Sequence, residues 1–180
     1  MDLNEEKLNQ YRKQENQEEM TNASVVVQTN IEDLCNDDFI LVNIFGTLKE
    51  LRVFSTGDNR FGESGHYKKY KFKLNKKELD VLKWFLENVN IEDYKEQILE
   101  FCNNTYAMWC DEKIALEDVS NEVDIHSIAI HVTDCCQAND GSLYPEISFY
   151  GECNCDKEHG ICIGFRNKKF IGISSQDWII

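Results

Sequence analysis

Apolar side chains recur along this chain with two different periods, and the switches between them mark out its elements. Residues 24–31, SVVVQTNI, predict a short first strand. Residues 39–55, FILVNIFGTLKELRVFS, are rich in β-branched and aromatic side chains with Gly46 inside, which predicts one or two more strands. The cluster of Gly, Asp and Asn at residues 56–65 predicts a loop. After it, HYKKYKFKL sets Tyr70, Phe72 and Leu74 against Lys69, Lys71 and Lys73, the alternation of a half-buried strand. Lysines on the outer side of such a strand protect a sheet edge from unwanted pairing.

The period then lengthens to that of a helix. Asn75 is placed to cap it, and Glu78 three residues later completes a capping-box signature. In residues 76–89, Leu79, Leu82, Phe85, Leu86 and Val89 share one helical face. Residues 91–110 repeat the pattern with Ile91, Tyr94, Ile98, Leu99, Phe101 and Cys102, a second amphipathic helix with fraying expected near Asn103 and Asn104.

From residue 123 onward the period returns to two. Ile128, Ile130 and Val132 oppose Ser127, Ala129 and His131. Ile147, Phe149, Gly151, Cys153 and Cys155 form one row, and Ile161, Ile163 and Phe165 another. KFIGI follows the hairpin-length connection RNK, while residues 133–145 form a loop containing the turn signal Asp140-Gly141. These elements predict an α+β fold: an antiparallel sheet, two consecutive amphipathic helices packed on one face, and a C-terminal β-meander. Residues 1–22 are polar without periodicity and predict a flexible tail ahead of a single domain over residues 23–180.

Composition adds limits. At 42% hydrophobic and 11% aromatic, with a single Pro, the chain is that of a globular protein rather than a linker-joined array. No stretch approaches the roughly 20 consecutive apolar residues of a membrane span, and the charged N-terminus lacks the apolar core of a secretory signal. The expected location is therefore cytoplasmic, with the eight cysteines reduced.

Charge sharpens the choice of partner. The net charge is −14, and residues 87–158 alone carry seventeen Asp/Glu against three Lys. By contrast, residues 66–86 carry seven Lys against Glu78 and Asp80. Such a field disfavours nucleic acid and anionic membranes and favours a basic protein partner. Glu92, Asp93, Glu96, Asp111, Glu112, Glu117 and Asp118 are the candidate partner-binding residues.

Candidate chemistry concentrates in CNCDKEHGICI, residues 153–163. Structural zinc sites use paired C-x2–4-C knuckles or one knuckle with two histidines, and no C-x2-C occurs here. Strand phase puts Cys153 and Cys155 on the core side and Cys162 on the opposite side. Convergence of Cys153, Cys155, His159 and Cys162 on one ion is therefore not expected, and neither a metal nor a cofactor is assigned. Asp156, Glu158 and His159 offer an acid–base set. The same DKEHG segment also reads as a hairpin turn, with Asp156 accepting backbone N–H bonds and Gly160 supplying positive φ. No nucleophile elbow, Walker loop, dinucleotide fingerprint or H-E-x-x-H is present, so no catalytic residue is assigned. His126 and His131, five apart on one strand, are expected on opposite faces. The tryptophans at 84, 109 and 178 read as core or interface anchors.

The stretch CDKEHGICIGFRNKKFIGISSQDW resembles a family of bacterial domains of unknown function whose C-terminal hairpin carries D-x-E-H-G. Asp156, Glu158, His159, Gly160, Gly172 and Asp177 match its pattern, and the likeness spans residues 73–178. Cys155 departs from it, standing where a Trp or another large apolar residue is expected. Some members resemble immunity proteins encoded near secreted toxins. The resemblance thus implies a bacterial, cytosolic, non-enzymatic binding protein, with an enzyme or metal-binding domain centred on Asp156, Glu158 and His159 as the alternative.

Overall fold

The computed structural model describes residues 25–26, 31–55, 73–109, 113–131 and 144–175. Its strands form one seven-stranded sheet in sequence order: β1 (Val25–Val26), β2 (Asp38–Ile44), β3 (Thr47–Ser55), β4 (Val123–Ile130), β5 (Ile147–Cys153), β6 (Ile161–Arg166) and β7 (Lys169–Ser174). Between β3 and β4 the chain forms helices α1 (Lys76–Asn88), α2 (Lys95–Trp109) and the short α3 (Val119–Glu122). The fold is α+β, with the C-terminal strands in meander order.

Residues 39–55 fold as two strands. Ile44 pairs with Thr47, leaving Phe45 and Gly46 as a two-residue turn, both at positive φ (50° and 76°). That backbone has the twist a tight hairpin needs. The connection after β6 repeats the device: Arg166 pairs with Lys169 across Asn167 and Lys168, at φ 49° and 59°. The strand expected at residues 66–74 lies almost wholly outside the described residues, as do the N-terminal tail and the loops at 56–65 and 133–143. At its end Lys73 bridges to Cys35, and Leu74 is buried.

One pairing departs from the antiparallel expectation. β3 and β4 run parallel, with Val53 opposite Ile128. The intervening helices return the chain to its starting end, so the next strand must run the same way as the last.

Both helices cover the face carrying Ile147, Phe149, Ile163 and Phe165. The Phe85 ring of α1 lies 4.7 Å from Phe149 and 5.3 Å from Phe165, while Tyr94 lies 5.2 Å from Phe165 and 4.8 Å from Phe170. Leu82, Phe85, Ile98 and Cys102 are fully buried, as the helical periodicity requires. The N-cap forms as expected: Asn75 Oδ1 accepts from the Glu78 N–H at 3.1 Å, and Glu78 Oε2 accepts from the Asn75 N–H at 2.7 Å. Glu78 is itself fully buried, and its other oxygen accepts from the Ser55 hydroxyl, tying the start of α1 to the end of β3.

Two expectations fail locally. α2 does not fray at Asn103 and Asn104 but runs on to Trp109. Asn103 is occupied instead in a two-way bond with the Ile114 backbone, donating at 3.3 Å and accepting at 2.9 Å, which holds the returning loop against the helix. In β4 a bulge falls between Ile125 and Ser127. Val123 and Ile125 point to the core before it, Ile128 and Ile130 after it, so parity resets and both His126 and His131 leave the helix-covered face. His126 sits with its ring 5.6 Å from Tyr150. Gly151 lies opposite this bulge, where an added Cβ would stand 2.3 Å from the Asp124 carbonyl oxygen. The strands meet there too closely for any side chain.

Candidate functional site

The hairpin between β5 and β6 begins at the Cys153 end of the sheet and is built as a turn. The Asp156 N–H donates to the Cys153 carbonyl at 3.2 Å, and the Gly160 N–H to the Asp156 carbonyl at 2.8 Å, with Gly160 at φ 57°. Asp156 Oδ1 accepts from the His159 N–H at 3.0 Å and also lies 3.0 Å from His159 Nδ1. Asp156, His159 and Gly160 are thus brought together, whereas Glu158 is exposed beside them. The His159 ring pairs with a carboxylate, an arrangement that orients an imidazole.

Cys153 and Cys155 are buried, as strand phase predicts, and Cys162 is fully buried on the opposite side of the sheet. There burial pushes the Cys162 thiol up to about 12, with the neighbouring Ser148 hydroxyl acting in the other direction.

What sequence spacing could not show is the partner of Cys153 and Cys155. Cys102, one full turn before Tyr106 on α2, descends onto them. Its sulfur lies 3.7 Å from that of Cys153, which lies 2.7 Å from that of Cys155, and all three fall within 4.8 Å of one another. These sulfurs cannot share one proton inventory independently. The contacts with Cys102 and then Cys155 pull Cys153 down against the effect of burial. Cys102 is pushed up by its contacts with Cys153 and Cys155, and burial adds to this. For Cys155, the contact with Cys102 pulls down, but the contact with Cys153 and burial prevail and push it up.

Tyr106 flanks the cluster. Its hydroxyl donates to Glu122 Oε2 at 2.7 Å, and burial followed by this bond raises the phenol well above its usual range.

The predicted partner-binding carboxylates fall into two groups along α2. Glu92 and Asp93 lie in the 3-10 turn Ile91–Tyr94 and Glu96 in the first turn of α2, where Glu92 also pairs with Lys95 at 3.2 Å. Glu117 and Asp118 lie on the turn Leu116–Asp118, which follows the segment held at Asn103. Seven residues separate Glu96 from Asn103, a rise of about 10 Å, so both groups border one helix. Asp111 and Glu112 lie outside the described residues. Beyond Asn103, α2 ends with Met108 and Trp109 at 72% and 81% exposure, and Leu116 is 40% exposed nearby in sequence. Trp84 instead packs on Phe165 at 6.4 Å. Trp178 lies outside the described residues.

Among the described residues no helix is long and apolar enough to cross a membrane. Residues 30–180 match the model of a family described as a domain of unknown function (DUF6985), and the chain belongs to that family. The matched span begins well ahead of residue 73, so the family's domain takes in β2 and β3 as well as the helices and meander. No curated protein and no solved structure matches the chain.

Proposed function

We propose that this DUF6985 chain is a non-enzymatic, cytoplasmic protein-binding module that takes a basic partner on its acidic α2 flank, in the manner of an immunity protein neutralising a basic toxin. The observation that carries this reading is Trp109, left 81% exposed beside Met108 at the end of a helix whose first turn carries Glu96. A large apolar anchor inside a charged rim is the anatomy of a binding hot spot, because the anchor supplies desolvation energy and the rim steers and orients. Glu96, Glu117 and Asp118 are exposed and offer negative charge complementary to lysine and arginine. The D-x-E-H-G hairpin resembles a bacterial family of unknown function some of whose members look like immunity proteins, which supports the same reading.

The test is association with a basic protein encoded beside this gene, followed by stopped-flow mixing at rising salt. Trp109→Ala is expected to weaken binding by at least about 2 kcal/mol, roughly thirtyfold, mainly through faster dissociation. Charge reversal at Glu96 and Glu117 is expected to slow association and flatten its salt dependence. An on-rate indifferent to salt, with affinity unchanged in all three variants, would sink the proposal.

A second reading rests on the contact between His159 and Asp156, which places an oriented base at an exposed turn. His159→Gln separates the two: lost turnover at unchanged stability favours chemistry, whereas lost stability with partner binding intact favours the turn.

A further inference from the structure

We propose that Cys102, Cys153 and Cys155 form a binding site for one thiophilic d10 metal cation, Zn2+ or Cu+. The inference is independent of the partner surface. Buried cysteines ordinarily serve as small hydrophobes, and Cys162 on the other side of the sheet fits that description. The three at the end of β5 differ in two respects.

The first is convergence. A metal–thiolate bond of about 2.3 Å places sulfurs in a three- or four-coordinate site about 3.8–4 Å apart. Cys102 and Cys153 already stand at 3.7 Å, and the whole set lies within 4.8 Å. Cys153 and Cys155 must separate from 2.7 Å, and Cys155 lies past the end of β5, in the turn. The second is position: the cluster lies where β5 ends, next to a turn whose residues 157–159 are exposed, whereas Cys162 is paired within β6.

Entry has a direction. Cys155 keeps 7% exposure while Cys102 has none, so an ion arrives from the Cys155 side. On binding, each remaining thiol proton leaves to solvent as its sulfur takes a coordinate bond, so affinity rises with pH. Soft thiolate ligands favour both ions, but they differ in coordination. Cu+ is satisfied by three sulfurs, whereas Zn2+ needs a fourth ligand, for which the solvent side supplies water. Among the described residues no further Cys, His or carboxylate joins the three.

The experiment uses the full chain, reduced and kept anaerobic, mixed with one equivalent of Zn2+ or Cu+ in separate arms and challenged with a weak chelator. Native mass spectrometry is expected to show one retained ion in at least one arm. X-ray absorption on that sample is expected to count three sulfur ligands near 2.3 Å. Cys155→Ser and Cys102→Ala are expected to lower affinity by more than about 100-fold, beyond what loss of a supporting group costs. Cys162→Ala is expected to leave affinity unchanged. No retained ion in either arm overturns the proposal, as does a first shell with fewer than three sulfurs or affinity lost equally in Cys162→Ala. Because the ligand count comes from the unsubstituted chain, misfolding of a variant does not blunt the test.

Discussion

His131 shows how far one side chain departs from its usual behaviour when a bulge redirects it. Burial lowers its pKa from 6.5 to about 4. Between those values the unfolded chain binds a proton that the folded chain refuses, so stability present above about pH 6.5 is lost as pH falls towards 4. Below about 4 both states are protonated and the loss levels off. The expected contribution reaches about 1.4 kcal/mol per pH unit within the window. Comparing urea midpoints of the wild type and His131→Gln across this range checks it, and the variant should show the shallower acid limb. Parallel profiles would assign the acid loss to carboxylates instead. Gly151 answers to the same bulge, since only a residue without Cβ admits the Asp124 carbonyl so near.

Helix α1 owes its starting point to a cap that is also a tertiary link. The capping box was legible because Asn75 and Glu78 carry it at fixed spacing, and a local motif needs no knowledge of the fold. Its burial was not legible, because nothing near Glu78 in sequence announces Ser55. Glu78→Ala removes the acceptor of both the Asn75 N–H and the Ser55 hydroxyl. A cap contributes about 1 kcal/mol, and a buried donor deprived of its acceptor costs about 1–3 kcal/mol more. The expected loss is therefore about 2–4 kcal/mol, read as a lower denaturation midpoint at unchanged m-value. A loss below about 1 kcal/mol would mean that water replaces the carboxylate there.

Viewed as one body, the protein carries a charge of −14, concentrated between residues 87 and 158. Like charges at that density repel one another in the folded state more than in the expanded chain. The ion pairs that oppose this are exposed ones, such as Lys49–Asp124 at 2.8 Å and Lys73–Asp33 at 3.1 Å, which contribute little. Raising salt from about 10 mM to 150 mM shortens the screening length from about 30 Å to 8 Å and is expected to raise the melting temperature. A fall would show that attractive pairs outweigh the repulsion. The same field is what a basic partner would encounter first, so stability and association should respond to salt in opposite directions.

Residue order alone was enough for the alternation of β4 to β6, the helical faces of α1 and α2, the hairpin connection after β6 and the chemistry of the Asp156–Gly160 turn. Each depends on neighbours a few positions apart, and side-chain period and turn geometry act at that range. It was also enough to bury Cys153 and Cys155. The parallel junction of β3 and β4, the parity reset in β4 and the arrival of Cys102 beside the two thiols emerged only from packing. They depend on where helices dock and how strands pair across long separations, and Cys102 stands fifty-one residues from Cys153. The segment CNCDKEHGICI thus holds two thirds of a thiol cluster, and its missing member comes from a helix whose sequence pattern marks that cysteine only as core.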